Sequence, residues 1–267
     1  MKLGFIGAGN MGSAIVGGVI RAGIFSAENI IVSDAYQPML DKIKQTHGVN
    51  ITNSNLEVAS SSDVIFLAIK PNIYEPVIKE IREKVKPGAI VITIAAGQTL
   101  KGLTDKFSND NVKIVRTMPN TPALVQQGMT AVCPAGNLND EDKQLVLKIF
   151  NSIGKAEILS EYLFDAYTGI AGSGPAYVFM FIEAMADGGV LHGLPRDQAM
   201  KFAAQTVLGS AEMILSGAGH PGFLKDAVCS PGGTTIEAVA TLEKNGFRNA
   251  VISAVSACSE KSLKMSQ

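Results

Sequence analysis

Residues 2–12 read KLGFIGAGNMG, an apolar run that passes straight into a glycine-rich hexamer. Leu3–Ile6 is a short apolar run suited to a buried strand, and it runs directly into a GxGxxG hexamer, Gly7-Ala8-Gly9-Asn10-Met11-Gly12. Apolar residues then recur at Ile15, Val19 and Ile20, a helical spacing. Strand, glycine turn and helix in that order open a dinucleotide-binding unit. Gly7 permits the tight turn, Gly9 lets the backbone approach a pyrophosphate, and Gly12 lets helix and strand pack closely. The helix N-terminus adds unpaired N–H groups and partial positive charge for a diphosphate. The chain has 27 glycines, so a bare hexamer arises easily by chance; the flanking strand and helix carry the assignment.

Outward from this stretch, strand-like and helix-like segments alternate to about residue 160. Apolar runs at Lys2–Ile6, Ile30–Val32, Val64–Ala68, Ala89–Ile94 and Lys113–Thr117 predict strands. Met11–Ala22, Met39–Thr46, Asn72–Val85 and Leu100–Phe107 predict helices between them. Such alternation predicts a parallel sheet with crossover helices. A strand at Met129–Cys133, a helix at Asp140–Phe150 and a strand at Lys155–Ile158 extend it. From Glu161 onward only helices are predicted: Ala176–Leu191, Arg196–Leu215, Ile236–Glu243 and Phe247–Lys264. The expected architecture is therefore a Rossmann-type α/β domain over residues 1–160 and an all-α domain over residues 161–267. The apolar faces of those helices call for a partner subunit.

Composition narrows the function classes. Of 267 residues, 46% are apolar and 18% charged, which excludes global disorder. Lys plus Arg number 23 against 24 Asp plus Glu, so the basic footprint of a nucleic-acid binder is missing. Cys133, Cys229 and Cys258 are odd in number and widely spaced, and His47, His192 and His220 lack ligand spacing; no metal site is expected. Free thiols fit a reducing cytoplasm. The first residues read as strand and turn, not as a secretory leader. The most apolar stretch, Ala176–Leu191, carries Glu183 and Asp187 and is shorter than the ~20 residues a bilayer needs.

The second predicted strand leads to Asp34, about 20 residues past the glycines, where an acid accepts from a ribose 2′-hydroxyl and repels a 2′-phosphate. A turn cap before Pro38 is the competing reading. Three further strands end in polar or glycine-rich segments: Ala68-Ile69-Lys70-Pro71, Ala95-Ala96-Gly97 and Arg116 to Pro122, RTMPNTP. Ligands bind at such strand ends in open α/β sheets. In the helical half, Val228 to Glu237 reads VCSPGGTTIE, a Ser/Gly/Thr loop opening a helix. Its N–H groups and hydroxyls suit a carboxylate, and plain N-capping is the alternative.

The combination of GFIGAGNMG, AIKP, AAG, MPNTPA, GSGPAYVFMFIEAMADGG, LPRDQA and CSPGGTTIEAV resembles the pyrroline-5-carboxylate reductase family, from Met1 to about Lys264. The resemblance implies reduction of 1-pyrroline-5-carboxylate to L-proline with NADH or NADPH, the last step of proline synthesis. It places Gly7, Gly9, Asn10, Met11 and Gly12 on the diphosphate and Asn55 beside the adenosine. Ala68, Lys70 and Pro71 flank the nicotinamide riboside, with Ala96 and Gly97 nearby. Met118, Pro119 and Asn120 line the seam between cofactor and substrate. Ser230, Gly233, Thr234 and Thr235 hold the substrate, with Thr235 as the catalytic hydroxyl at the ring nitrogen. Family members that prefer NADPH often carry Ser or Asn-Arg at the second-strand end. Here Ser33-Asp34-Ala35 stands there and leans toward NADH. The resemblance also implies self-association through the C-terminal helices. Two alternatives remain: a β-hydroxyacid dehydrogenase, against which GIAGSGPAY at 169–177 lacks the expected lysine, and a non-catalytic nucleotide sensor.

Overall fold

A computed structural model describes residues 1–95, 97–109 and 111–266. In chain order the elements are β1 Leu3–Ile6, α1 Asn10–Arg21, β2 Ile30–Ser33, α2 Gln37–His47, β3 Asn50–Thr52, α3 Asn55–Ser61, β4 Val64–Leu67, α4 Tyr74–Ile81, β5 Ile90–Thr93, α5 Leu100–Phe107, β6 Lys113–Pro119, β7 Gly128–Pro134, α6 Asp140–Asn151 and β8 Gly154–Ile158. Helices follow: α7 Phe164–Tyr167, α8 Gly174–Leu191, α9 Arg196–Leu215, α10 Pro221–Val228, α11 Thr234–Lys244 and α12 Phe247–Ser266. The strands form one sheet in the order β3-β2-β1-β4-β5-β6-β7-β8, parallel throughout except for the antiparallel pair β6–β7. β1 pairs with both β2 and β4, so the strand order reverses beside it and opens a crevice at the strand C-termini.

Alternation along each strand feeds two cores. Leu3, Phe5, Val32 and Phe66 pack with Ile15, Val16 and Val19 of α1, Leu40 of α2 and Phe150 of α6 on one face. Ile6, Ile65 and Leu67 pack with Val58 of α3, Ile78 of α4 and Leu103 of α5 on the other. Burial on both faces explains the unbroken apolar runs. Phe5 stacks on Phe66 at 4.8 Å, and Phe66 meets Phe150 edge-on at 5.8 Å. Each such ring contributes about 1.5–3 kcal/mol by burial.

Several elements differ from expectation. The three-residue β3 and the seven-residue α3 lie in NITNSN and its continuation, too short and polar for periodicity to register; α3 is held by Ser54, whose hydroxyl accepts Glu57 N–H at 3.2 Å. α4 is shorter than the predicted Asn72–Val85, because Pro71 first opens a tighter turn over Pro71–Ile73. α10 occupies a stretch with no helix expectation, capped by His220 Nδ1 accepting Gly222 N–H.

The chain divides into two compact units: Met1–Gly172 with the end of the chain from Cys258, and Ser173–Ala257. The expected division at Glu161 falls inside the first unit. Segment 161–172 is tied there by Arg116 to Glu161 at 2.9 Å, by Tyr167 OH donating to Met129 O at 2.6 Å and by Asn120 Nδ2 donating to Ala171 O at 2.9 Å. Burial pushes the Tyr167 phenol up to about 12, so it stays a neutral donor. In the second unit Ala186, Ala199 and Ala203 let α8 and α9 approach closely. Phe179, Met180, Phe202 and Leu215 of these helices are 62%, 70%, 55% and 78% exposed. Among the described residues no helix is long and apolar enough to cross a membrane.

One packing contact carries a pH signature. His47, in the last turn of α2, lies against Gly17 of α1, where a Cβ would stand 2.8 Å from its Cε1, and its Nε2 meets Ser13 Oγ at 3.2 Å. Burial, and then the Arg21 guanidinium, hold its pKa below the usual histidine value. The folded state therefore binds fewer protons than the unfolded state just below pH 6.5, and stability present above that pH is lost as pH falls. Urea denaturation at pH 7.5 and 5.5 should show a fall in midpoint that His47→Gln reduces; equal falls in both proteins would contradict this role.

Candidate functional site

The glycine turn leaves β1 at the sheet reversal. Gly7 has φ +105°, and a Cβ on it would lie 2.4 Å from Ala68 O, so only glycine fits. Its N–H donates to Ser33 O at 2.7 Å, and Ala68 N–H donates to Ile6 O at 2.8 Å. Ala8 N–H donates to Asp34 Oδ2 at 2.8 Å. Both neighbouring strands thus hold the turn. A Cβ on Gly12 would press on Gly7 O at 3.0 Å, whereas one on Gly9 would meet nothing within 4 Å. Gly9 is the N-cap of α1 and supplies no capping side chain, and the first helical turn contains no acid. The first-turn N–H groups of Asn10, Met11 and Gly12 therefore face an anion-compatible opening.

At the end of β2, Asp34 spends one carboxylate oxygen on Ala8 and the other on Tyr36 N–H at 2.8 Å. It is thus a turn cap, and each oxygen keeps a lone pair for a further donor. The preceding Ser33 donates its hydroxyl to Asn55 Oδ1 at 2.8 Å, and Asn55 Nδ2 donates to Glu80 Oε2 at 3.0 Å.

The next strand ends line the same edge. Ala68 is half-buried, while Lys70 and Pro71 are exposed. Beneath them Tyr74 OH donates to Leu67 O at 2.7 Å and meets Thr93 Oγ1 at 2.6 Å; Thr117 Oγ1 donates to Thr93 O at 2.7 Å. Burial pushes the Tyr74 phenol up, so it too remains a neutral donor. Gly97 adopts φ +73°; Ala96, expected beside it, lies outside the described residues. Met118 and Pro119 are buried at the end of β6. Asn120 donates to Ala171 O and accepts Met129 N–H at 2.9 Å, so its amide braces the backbone and keeps one N–H uncommitted by these bonds. Tyr74 and Thr93 escaped the sequence reading because each lies inside a run explained by packing, and Glu80 because its partner Asn55 is 25 positions away; the polar Thr93 closing an apolar strand is the signal that marks the network.

In the second unit, Ser230–Gly233 forms a turn closed by Gly233 N–H donating to Ser230 O at 3.0 Å, with Gly232 at φ +68°. A Cβ on Gly233 would collide with Ser230 Oγ at 2.2 Å. Gly233 is the N-cap of α11 and offers no side chain, so the first-turn N–H groups at Thr234, Thr235 and Ile236 have no capping partner from that position. Thr234 is exposed and Thr235 half-buried. The expected residues thus form two sets: Gly7 to Asn120 along the sheet edge of the first unit, and Ser230 to Thr235 in the second.

A family model described as pyrroline-5-carboxylate reductase dimerisation matches residues 161–265, and one described as NADP oxidoreductase, coenzyme F420-dependent, matches residues 2–97. The chain is 52% identical to a pyrroline-5-carboxylate reductase of Escherichia coli, across 100% of this chain and 98% of the relative. Among solved structures, a pyrroline-5-carboxylate reductase of Coxiella burnetii matches with TM-score 0.93 at 32% identity, covering 100% and 98% of the two chains. A Plasmodium falciparum pyrroline carboxylate reductase with NADP bound matches with TM-score 0.89 at 38% identity and the same coverage.

The two glycines make opposite predictions. Gly7→Ala should lower unfolding free energy by about 1–3 kcal/mol, because φ and the Ala68 carbonyl both oppose a Cβ. Gly9→Ala should leave stability near wild type and weaken dinucleotide binding at least ~tenfold, by placing a methyl where the backbone meets the diphosphate. Denaturation and calorimetric titration check both; a destabilised, ligand-competent Gly9→Ala protein would contradict the assignment.

Proposed function

The chain belongs to the pyrroline-5-carboxylate reductase family, and we propose that its glycine cradle holds the nicotinamide cofactor while Ser230–Thr235 hold the substrate. It is a nicotinamide-dependent oxidoreductase that reduces the cyclic imine 1-pyrroline-5-carboxylate to L-proline in proline biosynthesis, and it self-associates through its C-terminal helices. Full-length similarity to reductases displaces the β-hydroxyacid dehydrogenase and sensor alternatives.

The cradle's own shape fits a dinucleotide: space over Gly9, none over Gly7, and an uncapped helix terminus between them. Gly7, Gly9, Asn10, Met11 and Gly12 would hold the diphosphate. Asp34 and Asn55 would receive the adenosine ribose, and Ala68, Lys70, Pro71, Gly97 and Pro119 the nicotinamide half. When bound, the reduced nicotinamide supplies the hydride for the imine carbon. The P. falciparum relative holds NADP; the Asp34 carboxylate leans this chain toward NADH. Three widely spaced cysteines, odd in number and without CxxC spacing, support a reducing, cytoplasmic setting.

The observation that carries the substrate half is the glycine cap of α11. With no capping side chain there, the first-turn N–H groups receive the substrate carboxylate, aided by the Ser230 and Thr234 hydroxyls. Thr235 Oγ1 accepts the N–H of the protonated imine and fixes the orientation of the C=N carbon. Protonation matters because a cationic C=N accepts hydride far better than a neutral one. Asn120 holds the end of β6 in place through its two backbone bonds. No side chain is needed as a dedicated general acid.

Thr235→Ala should lower kcat/KM for pyrroline-5-carboxylate more than ~tenfold, over ~1.4 kcal/mol, with NADH affinity retained and Thr235→Ser recovering most of the loss. Steady-state kinetics with fluorescence titration of NADH measures both. Unchanged kinetics in Thr235→Ala would remove the hydroxyl from this role.

A further inference from the structure

Glu80 has no part in the reaction as read so far. It stands near the end of α4, exposed, and its Oε2 accepts the Asn55 amide at 3.0 Å. A carboxylate only accepts, whereas a carboxamide has one accepting end and one donating end. Glu80 therefore decides which way Asn55 faces: NH2 toward α4, carbonyl toward the end of β2. Ser33 cannot decide this, because a hydroxyl both donates and accepts. With the amide so turned, Asn55 Oδ1 accepts the Ser33 hydroxyl at 2.8 Å, one residue before Asp34. Two acceptors thus stand beside the end of β2: the Asp34 carboxylate and the Asn55 carbonyl, which gives one lone pair to the Ser33 hydroxyl and keeps the other. Acceptors suit a ribose 2′-hydroxyl, which donates, and oppose a 2′-phosphate, which is anionic and has no N–H to give.

We infer that Glu80 is a positioning residue for cofactor choice: by holding Asn55 with its carbonyl toward β2, it favours NADH over NADPH. The inference rests on the reading of the β2 end as the adenosine subsite. Its effect runs through orientation, since an exposed charge is strongly screened.

The test is calorimetric titration of NAD⁺ and NADP⁺ into the full-length protein as wild type, Glu80→Gln, Asn55→Ala and the double variant. A Gln at 80 both donates and accepts, so Asn55 is released to turn its NH2 toward a 2′-phosphate. Glu80→Gln should shift the NAD⁺ to NADP⁺ affinity ratio toward NADP⁺ by about threefold or more, the scale of one hydrogen bond. The shift should vanish in the Asn55→Ala background. An unchanged ratio, or equal weakening of both ligands as a merely structural residue would give, overturns the inference. A shift that survives Asn55→Ala overturns it too, by assigning the effect to charge alone. A wild type without NAD⁺ preference refutes the lean assigned to Asp34, while Glu80 is still judged by the shift.

Discussion

A glycine turn can receive a diphosphate only if the helix N–H groups that follow it are left facing outward, and here the end of β2 fixes the turn by taking up the two N–H groups before them. Gly7 N–H donates to Ser33 O at 2.7 Å and Ala8 N–H to Asp34 Oδ2 at 2.8 Å. β4 closes the other side, with Ala68 O against the place a Gly7 Cβ would occupy. These contacts exist because β1 lies between β2 and β4, where the strand order reverses and the connections diverge. The Asp34 carboxylate therefore has two tasks. It fixes the turn from within by accepting the Ala8 and Tyr36 N–H groups, and each of its oxygens keeps a lone pair for a further donor.

Further along the sheet, buried polar groups keep the remaining strand ends in register. Tyr74, Thr93 and Thr117 join β4, β5 and β6 beneath the edge, and burial keeps the phenol protonated. Arg116 extends the frame toward the helices. It is 4% exposed, lies 4.4 Å from the Phe164 ring centroid and pairs with Glu161, whose Oε1 also accepts Leu100 N–H at 2.7 Å. Breaking a buried pair leaves a charge without its partner, so such a pair positions more than it stabilises.

The sheet was legible in the sequence wherever strands are buried on both faces, because Leu3–Ile6, Val64–Leu67 and Ile90–Ile92 have no polar interruption. Of the two edges, β8 was legible at Lys155–Ile158 but β3 escaped: Asn50–Thr52 is short and half-exposed, and nothing in NIT distinguishes it from a turn. The steric roles of Gly7 and Gly12 were legible, because a Cβ on either would press on neighbouring backbone. The bond from Ala8 to Asp34 was not, since it spans 26 positions. Glu80 stayed hidden for the same reason, 25 positions from Asn55. On the helical side, patterning located α8, α9 and α12 but missed α10, whose eight residues follow a glycine-rich break.

The large apolar side chains left exposed on α8 and α9 have a physical explanation in self-association, as the dimerisation model over residues 161–265 requires. The central chemical claim is a hydride passed from a dihydronicotinamide to a five-membered imine. It is tested most directly by mass spectrometry of the proline formed when the purified protein is given pyrroline-5-carboxylate and NADH doubly deuterated at nicotinamide C4. The account predicts one deuterium in the product, at the former imine carbon; proline formed without deuterium would contradict it.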